Sequence, residues 1–178
     1  MSPLIMARRA AMSETKASVE YRALFNPAFC AVLLREACLG AERESKSRDV
    51  EPLSFAASFL VLPAVLHEPI RRALPKSIAT SFATWLAENP IIRSQFAAVA
   101  TVTKDITKNG LLFGATHGAL RLDAGSVRTA GSMKIQAPEF DEANSDIGRC
   151  LRAARFMGRW LALAGNTTTT LALIGMRA

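Results

Sequence analysis

The chain has 178 residues, half of them hydrophobic and 21% charged, which is the composition of a folded globular protein and excludes an intrinsically disordered one. This length is sufficient for one domain with its own hydrophobic core. The formal net charge of +7 favours an acidic partner, either nucleic acid or an acidic protein surface, although the same charge can also serve solubility alone.

The N-terminal part of the sequence predicts two helices joined by a loop. Pro27–Leu39 fits a helix with proline at its first position and Gly40 as its stop. Ala41–Glu51 is dense in charged residues and serine, which indicates an exposed loop. Leu53–His67 predicts a second helix, kinked or broken at Pro63.

The middle of the chain predicts a short helical turn and three further helices. The turn is opened by Glu68 and Pro69 and closed by Pro75. Ser77–Glu88 predicts an amphipathic helix, Ile91–Val102 the next and Thr103–His117 the third. Serine and threonine are favoured N-caps, so the first residues of the first and third helices are expected to cap them.

A β-hairpin is expected after these helices. Ala119–Asp123 and Ser126–Ala130 alternate in polarity on either side of a tight turn, and Met133–Gln136 predicts a further short strand. Three helices followed by a hairpin is the element order of a winged helix-turn-helix, although many helical domains also end in a hairpin. Pro138–Ala143 then predicts an acidic loop.

The expected fold is therefore mainly α, of the α+β class, and ends in a helical hairpin. Its first helix is capped by Ser145 and runs to Ala164, and its second starts at Asn166 or Thr167 and runs to Ile174. Residues 1–20 are expected to form a flexible N-terminal segment, and residues 21–178 a single globular domain. Within it we distinguish N-terminal helices (21–75), a winged-helix-like part (77–136) and C-terminal helices (145–176).

Hydropathy and cysteine usage predict a cytoplasmic protein. The most hydrophobic run, Leu53–Leu66, is shorter than the ~20 residues that cross a bilayer. Cys30, Cys38 and Cys150 form no CxxC pair, and the first two lie too far apart on one helix to form a disulfide. Buried, reduced thiols are expected.

The sharpest local feature is an arginine stripe on the predicted C-terminal helix. Its members share about a third of the helix circumference: Arg149, Arg152, Arg155 and Arg159. Asp146 is the one acidic residue after Asn144, so the stripe predicts an anionic partner, either DNA phosphate or an acidic protein face. Trp160 borders the stripe and is a candidate contact residue.

The alternative is a solvated helix face whose charges are met by acids from elsewhere in the chain, with Glu139, Asp141 and Glu142 as candidates. A second basic group belongs to the predicted winged-helix part and would contact phosphates or a protein partner: Lys104, Lys108, Arg121 and Arg128. Asp105 and Asp123 dilute its charge.

The sequence contains no metal, phosphate-binding or catalytic motif, and we expect no cofactor. His67 and His117 lie at predicted helix ends, where an imidazole can bond free backbone carbonyls, so capping is expected rather than catalysis. Gly110, Gly114 and Gly118 form a GxxxGxxxG pattern on a helix, which predicts a close helix approach.

Three segments together carry a family resemblance. Asn26–Pro90 consists of apolar helices separated by prolines, with Trp85 as an anchor. The others are LLFGATHGALRLDAG at Leu111–Gly125 and MGRWLALAG…LALIGM at Met157–Met176. The combination resembles the middle component of bacterial three-component ABC-ATPase systems, including the small subunit of Lamassu-type anti-phage complexes.

The resemblance implies a non-enzymatic adaptor that takes part in defence against phage or plasmid DNA. Its partners would be an SMC- or RecN-like ABC ATPase and an effector, often a nuclease, which it would hold inactive until DNA is sensed. DNA could be contacted directly or through the complex. The alternative is a stand-alone winged-helix DNA-binding transcriptional regulator, for which the segment Lys104–Asn109 is a weak recognition sequence.

Overall fold

The computed structural model describes residues 25–48, 51–131 and 145–175. Within them the protein is mainly helical with a small two-stranded sheet, which confirms the predicted fold class. The predicted flexible segment over residues 1–20, the strand at Met133–Gln136 and the acidic loop at Pro138–Ala143 lie outside the described residues.

The helices follow one another in chain order as α1 (Pro27–Arg48), α2 (Phe55–Ser58), α3 (Val61–Leu66), α4 (Glu68–Ala73), α5 (Phe82–Glu88), α6 (Pro90–Val102), α7 (Lys104–Thr116), α8 (Asp146–Ala162) and α9 (Thr167–Ile174). Between α7 and α8 lies the antiparallel hairpin of β1 (Leu120–Asp123) and β2 (Ser126–Thr129). In its register Leu120 is opposite Thr129, and Leu122 is opposite Val127.

Helix α1 is longer than predicted. The expected stop at Gly40 is wrong, because the helix continues to Arg48 through the segment that was expected to be a loop. Gly40 lies inside the helix against the backbone of α8, where an added Cβ would be 2.2 Å from the carbonyl oxygen of Arg155. Ala41 and Glu44 are buried as well. Burial along this helix outweighs the roughly 1 kcal/mol that a glycine costs in a helix interior.

The predicted helix over Leu53–His67 is broken ahead of its proline. Ser54 caps α2, its hydroxyl accepting from the backbone N–H of Ala57 at 3.2 Å, and the break follows at Phe59 and Leu60. Pro63 lies in the first turn of α3 rather than at the break. An N–H in a first turn has no partner within the helix, so proline is tolerated there.

The predicted N-caps are right for some helices and wrong for others. Ser145 caps α8 as expected, and Asn166, one of the two expected starts of the last helix, caps α9. Helix α5, however, begins one turn later than predicted, because Ser81 rather than Ser77 accepts from an N–H of its first turn. Thr103 lies between α6 and α7, yet its hydroxyl donates to the preceding helix instead of capping the next.

The hairpin is attached to the N-terminal part of the chain. The carboxylate of Glu42 on α1 accepts from the backbone N–H of Thr129 at 2.7 Å and from its hydroxyl. The N–H of Val127 donates to the carbonyl of Leu53 at 2.8 Å. The order of three helices and a hairpin is thus present, while the winged-helix assignment stays a prediction.

Glycines set the closest helix contacts around α1. An added Cβ at Gly110 of α7 would lie 2.9 Å from the Cβ of Cys30, so the predicted close approach is confirmed there. The contact with α8 is closer still, because a Cβ at Gly158 would lie 1.8 Å from the carbonyl oxygen of Ala37. Helix α1 therefore lies between α7 and α8 and touches both through backbone or Cβ atoms. Among the described residues, no helix has the length and hydrophobicity to cross a bilayer.

All three cysteines are reduced and buried, as predicted. The Cys38 Sγ–H donates to the carbonyl of Val127 at 3.6 Å, and that of Cys150 to the carbonyl of Val65 at 3.8 Å. Burial raises the pKa of Cys30 to about 11 and that of Cys38 to about 12, and it also raises the pKa of Cys150.

We expect the folded protein to resist thiol labelling by a disulfide reagent at about pH 8, and the unfolded protein to react at all three cysteines. In the folded state the pKa values of Cys30 and Cys38 lie above the ordinary value of 9.0. Below pH 9.0 the contribution of these protonated thiols to the free energy of unfolding is therefore fully present. It is lost as the pH rises towards about 11 and 12, so the urea midpoint should fall over this range. Rapid labelling of the folded protein at about pH 8 would contradict the described burial.

Candidate functional site

The arginine stripe lies on the outer face of α8. Arg149, Arg152 and Arg155 are exposed, whereas the side chains of Cys150 and Ala154 on the same helix are buried. The helical spacing therefore predicted the shared face correctly. Ser145 fixes where the helix begins, because its hydroxyl accepts from the N–H of Gly148 at 3.0 Å.

Carboxylates from α1 neutralise the C-terminal half of this stripe. The Nε–H of Arg155 donates to Glu36 at 2.9 Å, and the Nε–H of Arg159 donates to Glu44 at 2.6 Å. The premise that the stripe has no compensating acids is therefore wrong for these two arginines. The alternative of a paired face holds for them, although their acids differ from Glu139, Asp141 and Glu142, which lie outside the described residues.

The pair of Arg159 and Glu44 contributes to the fold rather than to a free surface. The side chain of Glu44 is 5% exposed and that of Arg159 34% exposed. A buried carboxylate without a partner is costly, so this arginine stabilises the contact between α1 and α8. Arg155 is more exposed, and its ion pair with Glu36 contributes less because water screens it.

Trp160 is not on the surface of the described fold, and its predicted role as a contact residue stays a prediction. It is 1% exposed, and its indole N–H donates to the carbonyl of Thr80 at 2.7 Å. Its ring packs edge-on against Phe82 and Trp85, with centroids 4.9 and 5.3 Å away. The segment that contains Thr80, just before α5, covers the side of α8 on which Trp160 lies. The helical pattern had placed this side at the edge of the arginine stripe.

The N-terminal half of the stripe lines a cleft. Arg149 and Arg152 of α8 face Arg71 and Arg72 of α4 across a cavity of about 320 Å³. We call this cavity the α4–α8 cleft, and its lining also includes Glu68, Leu74, Ala153 and Phe156. Two predicted residues of the stripe thus come together with two arginines that the sequence did not single out.

The predicted basic group on the hairpin is balanced by acids close to it in the sequence. Arg121 and Arg128 lie opposite each other in the hairpin register, and both contact the carboxylate of Asp123, at 3.0 and 3.4 Å. Lys108 pairs with Asp105 at 3.2 Å. Lys104 is exposed on the first turn of α7. Because the other three basic residues are paired with nearby carboxylates, the four do not form one continuous positive surface. Their contact with DNA or with a protein stays a prediction.

A family model for "ABC-three component (ABC-3C) system Middle Component 3" matches residues 14–178 of the chain. The match covers most of the sequence, including all the elements described above. The chain belongs to this family. Neither the curated proteins nor the solved structures gave a match. The resemblance to a middle component of three-component ABC systems is thereby confirmed. Membership implies an ABC ATPase and further components as partners of this Middle Component 3 protein.

The two histidines of this Middle Component 3 protein have different surroundings. The ring Nδ1–H of His117 donates to the carbonyl of Phe113 at the end of α7, at 2.9 Å, as capping predicts. The ring of His67, between α3 and α4, does not cap, because its Nδ1 is buried without a hydrogen-bond partner among the described residues. Across all the residues that the structure describes, no group of His, Cys, Asp and Glu could hold a metal ion.

Arg71 is the more buried of the two arginines of this surface that sequence reasoning missed. Its Nη1–H donates to the carbonyl of Val65 at 2.6 Å and its Nη2–H to the carboxylate of Asp146 at 2.7 Å. Its side chain is 9% exposed. Helix α4 is too short to show an amphipathic period, so the one local signal was an adjacent pair of arginines, Arg71 and Arg72, in a helical turn.

Proposed function

We propose that this protein is a non-enzymatic adaptor that links an SMC- or RecN-like ABC ATPase to a nuclease-type effector in Lamassu-type defence against phage or plasmid DNA. The adaptor holds the effector inactive until the ATPase engages DNA. The observation that carries the proposal is the match of the Middle Component 3 family to residues 14–178. Membership in a multi-component system favours an adaptor over a stand-alone transcriptional regulator.

The surface chemistry supports an acidic protein partner. The net charge of +7 attracts acidic surfaces over distances of about a Debye length, roughly 8 Å at physiological salt. Arg149 and Arg152 lie on an exposed helix face, next to two further arginines of α4. Guanidinium groups bind carboxylates in a planar, bidentate geometry, which suits recognition of a defined partner.

An adaptor of this kind works by binding two states of its partner with different affinity. Shifting a two-state equilibrium from 1:99 to 99:1 requires about 5.5 kcal/mol of differential binding. Truncating one member of a buried, charged interface contact typically costs about 2–5 kcal/mol. Charged contacts that form in only one state of the effector can therefore contribute to this difference.

The test is co-expression of the protein with the ATPase and the effector encoded beside it. We expect the three chains to co-purify as one complex on a tag placed on the ATPase, and to separate at high salt because charged contacts contribute to binding. The control is the same tagged ATPase expressed with an unrelated basic protein of similar size. Recovery of this protein as a free monomer, with no affinity for either neighbour, would refute the adaptor proposal.

A further inference from the structure

Helix α6 exposes an uncharged face with a large apolar residue at each end. Ile91 is 73% exposed and Val102 is 70% exposed, more than any other large hydrophobic residue of the described part of the chain. The remaining exposed residues of this face are smaller: Ser94, Ala98 and Thr101. At 100° per residue, all five lie within about 100° of the helix circumference, and the buried Phe96 and Ala100 lie on the opposite side. We call this surface the α6 face.

Charged residues are scarce around the α6 face. Between residues 82 and 103 the sequence has two, Glu88 and Arg93, whereas 21% of the whole chain is charged. Arg93 lies about 130° from the centre of the face. The hydroxyl of Thr101 donates to the carbonyl of Ala97 at 3.0 Å, so its hydrogen is already bonded within the helix. Depletion of charge marks the centre of protein interfaces, and the α6 face has this composition.

The order of side-chain sizes along the α6 face is symmetric. Large residues stand at the two ends, Ile91 and Val102, and small ones between them, Ser94 and Ala98. Two antiparallel copies of this helix therefore fit each other, with a large residue of one copy against a large residue of the other at each end. The small residues in the middle let two helix axes approach to about 8 Å. A two-fold interface uses the same patch of both copies, which this pattern allows.

The charges that flank α6 fit the same arrangement. Glu88 ends α5 just before α6 begins, and Lys104 begins α7 just after α6 ends. Both are exposed, and neither forms an ion pair with any of the residues that the structure describes. When two α6 helices lie antiparallel, Glu88 of one copy comes to the same end as Lys104 of the other. A parallel arrangement would instead bring like charges together at both ends.

We propose that the α6 face binds a second copy of this chain, so that two antiparallel α6 helices form a two-fold symmetric dimer. Ile91 packs against Val102 of the other copy, and Glu88 pairs with Lys104 of the other copy. This inference goes beyond the proposed adaptor function, because it concerns how many copies of the protein associate. A dimeric adaptor would bring two copies into one complex.

The size of the α6 face indicates how tight this dimer is. Helix α6 has 13 residues and is therefore about 20 Å long. Two such helices bury less than the roughly 800 Å² per partner of a standard interface. We therefore expect a weak dimer, with a dissociation constant of about 10–100 µM.

The first test is sedimentation equilibrium of the free, full-length protein from about 1 to about 500 µM, over which the wild type should pass from monomer to dimer. A98R places a charged side chain at the centre of the α6 face, and we expect the dimer to weaken at least about tenfold because a buried charge without a partner is costly. The control is A172R, the same change at an exposed alanine of α9, which should leave the dissociation constant within about twofold. Since both alanines are exposed, both variants should keep the Tm of the wild type.

Exchanging the flanking charges tests the antiparallel order. E88K and K104E each place like charges together at both ends of the dimer, so each variant alone should associate roughly fivefold more weakly than the wild type. A mixture of the two variants restores opposite charges at both ends and should associate about as tightly as the wild type. The double variant E88K/K104E should behave like the mixture, because it exchanges both charges in one chain.

Three results would each overturn the inference. They are a wild type that stays monomeric at about 500 µM, a dimer that A98R weakens no more than A172R does, and a mixture of E88K and K104E that associates no better than its components. These measurements need neither the ATPase nor the effector, so they still decide the inference if co-expression refutes the adaptor proposal. If the wild type is monomeric and A98R loses co-purification with a neighbour, the α6 face binds that neighbour; the dimer inference then fails and the adaptor proposal stands.

Discussion

Replacing Gly158 by alanine should destabilise the protein by roughly 3 kcal/mol or more, at the upper end of overpacking effects. The added Cβ would lie 1.8 Å from the carbonyl oxygen of Ala37, and both neighbouring groups belong to helix backbones that cannot rotate away. The gain in helix propensity, about 1 kcal/mol for glycine to alanine, is too small to compensate. Thermal unfolding should show a fall in Tm of about 6–12 °C.

The matched control is Gly114→Ala on α7. Its added Cβ would meet the Cδ1 atom of Leu120 at 2.6 Å, which is the end of a flexible side chain rather than backbone. Leu120 can adjust, so we expect a loss well below that of Gly158→Ala. Equal stabilities for the two variants would show that α1 and α8 do not approach each other as closely as described.

The second large effect is expected for Trp160→Ala. Removing a buried aromatic side chain typically costs about 3–5 kcal/mol, and this change also leaves the carbonyl of Thr80 without the indole N–H. Both losses destabilise the hydrophobic core, because Trp160 packs among the aromatic rings of α5 and α8. The urea midpoint of the free protein should therefore drop, without any partner present.

Leu112→Ala provides the control, because Leu112 is 63% exposed on α7 and its removal should change stability by less than about 0.5 kcal/mol. If Trp160→Ala instead left the urea midpoint unchanged and lost only co-purification with the partners, Trp160 would be a contact residue after all. The two measurements thus separate a core role from an interface role.

Helix ends were predicted correctly where a local contact determines them. Ser145 caps α8 with its own side chain as predicted, and the last helix is capped by Asn166, one of its two predicted starts. Helix α6 begins at Pro90, one residue before the predicted start, because proline suits a first helical turn. Gly40 was misread because a glycine inside a helix looks like a stop until the opposing helix is known. Ser77 was predicted as the N-cap of α5, whereas Ser81, which also precedes an apolar residue, is the serine that caps it in the folded chain.

The candidate site shows the same division between local and distant causes. Helical spacing was sufficient to place the arginines of α8 on one face. Glu36 and Glu44, the partners of Arg155 and Arg159, come from α1, more than 100 residues earlier in the chain, and no local pattern reveals such a pairing. The cleft was missed for the same reason, since it exists where α4 and α8 meet. Trp160 was misplaced because the segment that covers it lies 80 residues away.

The close contact between α1 and α8 has a consequence for how the chain is made. Ala37 and Gly158 are 121 residues apart in sequence, the difference of their numbers. At about 5–20 residues per second, a ribosome needs roughly 6–24 s to add the second helix after the first. During this time the side of α1 that contains Gly40 and Ala41 has no covering helix, and exposed apolar surface on a nascent chain promotes aggregation. A chain whose translation stops before α8 should therefore aggregate, so rapid translation of this stretch, or a chaperone bound to α1, would raise the yield of folded protein.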